Sequence, residues 1–182
     1  MTGGGLILLW TGPKHSGKTT GLREVVRLCR RAGLAVAGIA APGVYENGAL
    51  AGFDVEDLST GRRETFLRRG GSGAAGSVGE YALHEEGVRL GRRALSDAAT
   101  READLVVVDE LGPLEFASGG WRDAVDRLAR RRAAALLLVV REALVARAAE
   151  LYGVPKVHVL PACEAGSADR ALSLLLSRAR ST

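Results

Sequence analysis

The chain of 182 residues is poor in aromatic side chains, with three Phe, two Trp and three Tyr. Its core must therefore be built from Ala, Val, Leu and Ile, and it offers few platforms on which single-stranded nucleic acid can stack. It has two cysteines, Cys29 and Cys163, and no CxxC pair. This excludes a disulfide framework and a thiolate-rich zinc site. Cys29 falls on the apolar face of a helical pattern and reads as a buried thiol. Lys14, Lys18 and Lys156 are the only lysines, so the net charge of +4 comes mostly from arginine. That surplus permits nucleic-acid contact without favouring it. The triplet Arg130, Arg131, Arg132 ends a predicted helix, where cations suit the dipole. No apolar run reaches the roughly 18–20 residues that span a bilayer, so no membrane association is expected. Met1 to Trp10 has no basic residue ahead of its apolar stretch and does not read as a secretory leader, which makes the cytoplasm the expected compartment.

What the chain does have is a regular alternation of short apolar runs and amphipathic stretches. Hydrophobic residues make up 47% and charged residues 25%, suited to one soluble domain over residues 1–182. Strands are predicted at Leu6–Thr11, Leu34–Ala40, Asp104–Glu110, Ala135–Val140 and Lys156–Leu160. Helical spacing runs through Lys18–Ala32, Leu83–Thr100, Trp121–Ala129 and Glu142–Leu151, and Ser167 is placed to cap a last helix that runs to Arg178. This order predicts an α/β fold, a mostly parallel sheet flanked by helices. Residues 43–80 differ in texture. Asn47-Gly48 between extended segments is a hairpin signal, and Ser59-Thr60-Gly61 is a second turn. A small antiparallel hairpin insertion is expected, followed by a glycine-rich flap from Arg68 to Gly79.

The segment Gly12-Pro13-Lys14-His15-Ser16-Gly17-Lys18-Thr19 matches G-x-x-x-x-G-K-[ST] at every fixed position, between a buried strand and an amphipathic helix. Glycines let the backbone turn its N–H groups inward as an anion nest, and the following helix adds the positive end of its dipole. The pattern predicts a nucleotide phosphate site over Gly12 to Thr19 and Thr20. Lys18 is expected on the β- and γ-phosphates and Thr19 on Mg²⁺. Lys14 and His15 lie within the loop and either touch phosphate or face solvent.

Val106-Val107-Val108-Asp109-Glu110 is an apolar strand that ends in two acids. At the carboxyl edge of a parallel sheet, where ligands bind, Asp109 can hold Mg²⁺ and Glu110 can draw a proton from an attacking water. Glu115 follows closely, either as a surface carboxylate or as a support for the metal site.

Together these blocks resemble the small P-loop nucleoside-triphosphatases of the THEP type, which include the cancer-related nucleoside-triphosphatases. The resemblance covers roughly Leu6 to Leu160. It is carried by the Gly12–Thr19 loop, by Gly43-Val44-Tyr45 through Gly52-Phe53-Asp54, by Val78-Gly79-Glu80-Tyr81 before a helix, and by Asp109-Glu110-Leu111-Gly112 with Glu115. It implies a RecA-like sheet in which a later strand, here Ala135–Val140, lies between the loop strand and the acidic strand. Arg141 then emerges beside the γ-phosphate, as a sensor or as the cap of a strand end. The resemblance implies slow, Mg²⁺-dependent hydrolysis of ATP, GTP and other nucleoside triphosphates with broad base tolerance. Tyr81 either stacks on the nucleobase or closes the core beneath the flap.

Two other readings keep the same loop. Arg62, Arg63, Arg68 and Arg69 suit the lid of a small-molecule kinase, and the strand–loop–helix opening suits a non-catalytic nucleotide-binding adapter. The acidic pair favours hydrolysis. The sequence names no protein partner.

Overall fold

The computed structural model describes residues 5–13, 16–70, 76–112, 116, 119–131, 134–152 and 157–180. The expectations for Lys14, His15, Glu115, Arg132 and Lys156 lie outside them. The described elements follow the chain as β1 (Ile7–Gly12), α1 (Lys18–Arg31), β2 (Val36–Ala40), β3 (Gly43–Glu46), β4 (Ala49–Asp57), β5 (Arg63–Arg69), β6 (Ser77–Val78) and β7 (Tyr81–Leu83). Then come α2 (Glu85–Ala94), α3 (Asp97–Thr100), β8 (Leu105–Leu111), α4 (Arg122–Arg131) and β9 (Ala135–Arg141). A 3₁₀ turn at Glu142–Leu144, α5 (Val145–Tyr152), β10 (Val157–Pro161) and α6 (Ser167–Ala179) complete the order.

Five strands form a parallel block in the order β10-β1-β9-β8-β2. Strand β9 thus lies between the loop strand β1 and the acidic strand β8, as the resemblance implied. Strands β1, β8 and β9 are covered on both faces, which is why they read as unbroken apolar runs rather than alternating ones. The pleat still sorts them. Leu9, Val106, Val108, Leu136 and Leu138 face one layer with Leu90, Val125 and Ala148 of α2, α4 and α5. Leu8, Trp10, Val107, Leu137 and Val139 face the other, with Leu22, Val25 and Cys29 of α1 and Ala171 and Leu175 of α6. Each face of the sheet therefore has its own core. Cys29 is fully buried there, as expected, and its desolvated thiol is pushed up to about 11.

The antiparallel insertion extends this sheet. Strand β4 pairs with β2, and β5, β7 and β6 follow outward, with β3 on β4. Asn47 and Gly48 both take positive φ, at 51° and 78°, the backbone that a two-residue hairpin turn with the twist of its strands demands.

Three local expectations need correction. Arg68, Arg69, Ser77 and Val78 are not flap but strand, because Arg68 pairs with Gly52 and Ala82, Arg69 with Tyr81, and Val78 with Tyr81. Leu83–Thr100 is not one helix. Tyr81–Leu83 joins β5 as a strand, and the helical stretch breaks at Leu95-Ser96, where Ser96 Oγ accepts from Ala99 N as the cap of α3. Ser167 does not cap α6 either: Gly166 holds that position with φ 81°, and Ser167 is the first, buried residue of the helix.

Candidate active site

The site is built where β1, β8 and β9 end together. The register pairs Gly12 of β1 with Arg141 of β9 and Val108 of β8 with Leu138 of β9. The phosphate loop, the two acids and Arg141 therefore share one edge of the parallel block, the edge at which α/β proteins bind ligands.

The loop leaves β1 at Gly12 and enters α1 through Gly17, whose φ of 76° and ψ of 22° need a residue without a Cβ. Gly12 is needed too, since a Cβ there would lie 2.7 Å from Ser16 Oγ. Trp10 Nε1 donates to the carbonyl of Lys18 over 3.0 Å and ties the first turn of α1 to the strand beneath it. Gly21 lets that turn come close, because a Cβ would sit 2.8 Å from the Trp10 ring. Helix α1 has no acid in its first turn and two arginines in its last, so its open N–H groups and dipole present positive potential to the loop. Lys18 Nζ folds back on the loop, donating to the carbonyls of Gly12 at 3.2 Å and Pro13 at 2.8 Å. Ser16 Oγ is buried and, among the described residues, without a hydrogen-bond partner. Buried polar atoms are normally satisfied, so this hydroxyl suits an absent anion.

Asp109 is 3% exposed. Its Oδ2 accepts from the Thr19 hydroxyl and from the Ala41 N–H, each at 3.2 Å. Burial pushes its carboxyl up to about 7, partly offset by the Ala41 and Thr19 hydrogen bonds. Thr19 and Asp109 form a two-oxygen donor set of the hard type that suits Mg²⁺. Among the described residues, no three or more His, Cys, Asp or Glu side chains converge on a metal position. A pair of protein oxygens fits an ion that takes its other ligands from phosphate and water.

Glu110 points to the same edge, partly exposed, and Arg141 Nε donates to its Oε1 at 2.7 Å. A cavity of about 470 Å³ joins these parts, lined by Ser16 to Thr20, by Asp109, Glu110 and Arg141, by Pro42, and by Tyr45, Leu50, Phe53 and Tyr81 of the inserted strands. Its size is that of a small-molecule site. Of the residues picked out from the sequence and described here, Ser16, Gly17, Lys18, Thr19, Thr20, Tyr81, Asp109, Glu110 and Arg141 line it together; Gly12 and Pro13 sit behind as acceptors for Lys18. Tyr81 is only half-exposed, edge-on to Phe53 at 5.9 Å between centroids and beneath the Arg69 guanidinium at 5.8 Å.

Two residues escape a reading of the sequence alone. Tyr45 is 62% exposed and lines this cavity; its place in a hairpin block was visible, its place in one cavity with the phosphate loop was not. Cys163 follows β10 and donates through Sγ to the Ser16 carbonyl at 3.4 Å. No sequence signal marks it, because the contact spans 147 positions and depends on β10 pairing with β1.

A glycine loop on a helix start, facing an acidic strand end across an interposed strand, defines a P-loop nucleoside-triphosphatase fold. The comparisons agree. The family model described as NTPase matches residues 7–164, and the chain belongs to that family, an enzyme family. The Nucleoside-triphosphatase THEP1 of Methanopyrus kandleri is 34% identical over 129 residues, 71% of this chain and 70% of that protein. The protein of the same name from Thermofilum pendens is 42% identical over 118 residues, 64% of each. Aligned stretches thus cover about two thirds of these relatives. Among solved structures, THEP1 from Aquifex aeolicus superimposes with a TM-score of 0.71 at 22% identity, over 93% of this chain and 98% of that one. A human cancer-related nucleoside triphosphatase does so with a TM-score of 0.70 at 22% identity, over 98% and 99%. These two show the fold. No helix among the described residues is long and apolar enough to cross a membrane.

Proposed function

We propose that this chain acts as a single-domain, magnesium-dependent nucleoside triphosphatase that hydrolyses ATP, GTP and other nucleoside triphosphates to the diphosphate and phosphate. The observation that carries the reading is the hydrogen bond from Thr19 to buried Asp109 beside Lys18. It joins the end of the phosphate loop to the acidic strand, so the two oxygens that would hold Mg²⁺ already lie together. When bound, the ion would withdraw charge from the β- and γ-phosphate oxygens. Loop N–H groups bind the phosphates, and Lys18 exchanges its two loop carbonyls for phosphate oxygens. Glu110 takes the proton of the attacking water at Oε1 or Oε2. Arg141 holds the Glu110 carboxylate at 2.7 Å and offers its remaining N–H groups to charge growing on the γ-phosphoryl. Gly12, Pro13, Lys14 and His15 belong to the same G-x-x-x-x-G-K-[ST] segment, and Glu115 is a support for the metal site on its nearness in sequence to Asp109 and Glu110.

Broad base tolerance is supported by the apolar part of the lining. Tyr45, Leu50 and Pro42 offer apolar and aromatic surface, and such surface discriminates bases weakly compared with hydrogen-bonding groups.

The test is phosphate release from the purified chain with Mg²⁺ and ATP, GTP, CTP or UTP in turn. Release from several of them, lost in Lys18→Ala, is the expected result. Tight binding without release from any of the four would rule the reading out in favour of a nucleotide-binding adapter.

A further inference from the structure

A second cavity opens from the same acids. Its volume is about 540 Å³; it shares Thr19, Phe53, Tyr81, Asp109, Glu110 and Arg141 with the first cavity, and among the described residues Thr19 is its one contact with the phosphate loop. Beside Asp109, Glu110 and Arg141 it is lined by Phe53, Phe66, Tyr81 and Trp121, with Leu67 and Val78. Of the chain's eight Phe, Trp and Tyr residues, Phe53 and Tyr81 line both cavities, and Phe66 and Trp121, 8% and 3% exposed, line this one beyond the first. They are also ordered with care. Phe66 and Trp121 stack at 5.1 Å between centroids and 28° between planes. Trp121 reaches this position by lying on the bare backbone of α2, where a Cβ on Gly91 would come within 2.3 Å of it.

Hydrolysis does not call for the part that extends past the first cavity to Phe66, Leu67, Val78 and Trp121, since one water occupies about 30 Å³. Its location does suit phosphoryl transfer. A nucleophile meets the γ-phosphorus in line with the leaving oxygen, so it arrives from the side away from the loop that holds the β-phosphate. Glu110, the group that would take the nucleophile's proton, lines this cavity. The charges lining the cavity narrow its occupant. Among the described residues Arg141 is its one cationic side chain, and that guanidinium already pairs with Glu110. Glu80, Asp109 and Glu110 are acidic. The arginines that suited a kinase lid are engaged elsewhere, Arg62 with Glu64, Arg63 with Glu56, Arg68 with Asp54 and Arg69 with Glu80. An acceptor bearing phosphate or carboxylate would meet no free cation among these groups.

From this we infer that the cavity is an acceptor subsite, and that the enzyme transfers the γ-phosphoryl group to the hydroxyl of a neutral, planar, largely apolar small molecule. The inference rests on the triphosphatase reading of Glu110. The acceptor's hydroxyl oxygen forms a bond to the γ-phosphorus while the bond from that phosphorus to the β–γ bridging oxygen breaks. The bonding pair leaves with the nucleoside diphosphate, and the hydroxyl proton passes to the Glu110 carboxylate and then to solvent. The products are a phosphomonoester and a nucleoside diphosphate. Hydrolysis is the same reaction with water in the acceptor's place.

The test incubates the full chain with Mg²⁺ and ATP labelled in its γ-phosphate, with benzyl alcohol or naphthalenemethanol as neutral probes and para-(hydroxymethyl)benzoate as the anionic counterpart. Label is counted separately as inorganic phosphate and as organic phosphomonoester. The expected result is phosphomonoester that rises with the concentration of either neutral alcohol and falls by roughly tenfold or more with the anionic one. Val78→Phe, which fills the chamber from a residue outside the hydrolytic machinery, lowers phosphomonoester by a similar factor and leaves phosphate release intact. Label that goes to water alone at every alcohol concentration overturns the inference while the triphosphatase stands. A raised KM for ATP in Val78→Phe means that the cavity holds the nucleobase, which also overturns it. An enzyme that releases label to no acceptor at all loses both readings together.

Discussion

Arg141 donates to Glu110 across 2.7 Å, joining the ends of strands β9 and β8 beside the loop that leaves β1. The two residues are 31 positions apart in the chain and meet because β9 lies between the other two strands. The pair gives the site a carboxylate held in one orientation and a cation with N–H groups to spare. Arg141→Ala is expected to lower kcat by about 10²-fold or more, the scale on which lost stabilisation of transition-state charge is felt. Arg141→Lys restores the charge without the planar fork and recovers only part of the rate. Steady-state kinetics with unchanged KM separates this from weakened binding.

Asp109 couples metal binding to pH. Its folded carboxyl lies at about 7 against an ordinary 3.8, raised by burial. An acid raised in the folded state stabilises the fold below its unfolded pKa, and that contribution is lost as pH climbs through the folded one. The metal-free protein therefore loses stability from this group as pH rises from the ordinary carboxylate range to about 7. Bound Mg²⁺ needs the ionised form and offsets the loss. The rise in melting temperature given by Mg²⁺ with a non-hydrolysable triphosphate should be larger at about pH 8 than at about pH 6. Asp109→Asn should flatten that difference.

The two thiols should separate cleanly. Cys163 is exposed, while Cys29 is fully buried with its ionisation pushed up to about 11, and the thiolate is the reactive form. A disulfide reagent at neutral pH is expected to modify one thiol quickly and the second only on unfolding. Because Cys163 lies against the Ser16 carbonyl, Mg²⁺ with a non-hydrolysable triphosphate should slow the fast phase. Two fast thiols would contradict the packing of α1.

Gly91 allows Trp121 to lie on α2. A Cβ there would fall 2.3 Å from the indole, and overpacking of this kind costs about 1–3 kcal/mol. Gly91→Ala is therefore expected to lower the melting temperature by roughly 2–4 °C for each kcal/mol lost, as for chains of this size. Calorimetry measures this directly.

Much of this architecture is legible in the sequence because its signals are local. The run Ile7 to Arg31 combines a buried strand, a glycine loop and an amphipathic helix, each with its own local signal. Asp109 and Glu110 stand out because hydrophobic residues precede them. Even the central place of Ala135–Val140 could be expected, through the family resemblance. What depended on pairing between distant strands could not be read. Leu83 opens a stretch of helical spacing yet ends a strand with Tyr81 and Ala82, since β5 supplies backbone partners for them. Arg68 and Arg69 sit in a glycine-rich, charged stretch, but Asp54 and Glu80 across the sheet hold them. Cys163 reaches the phosphate loop, and Trp121 the acidic edge, only through tertiary packing that no spacing rule encodes.

The central claim is that Glu110 activates the nucleophile at a site that binds Mg²⁺ and nucleotide without it. The direct test is Glu110→Gln, with nucleotide affinity and phosphate release measured on the same preparation. The account predicts affinity close to that of the unaltered chain and phosphate release reduced by about 10²-fold or more. Full release from Glu110→Gln would contradict it, and the base would have to be sought elsewhere on the same edge.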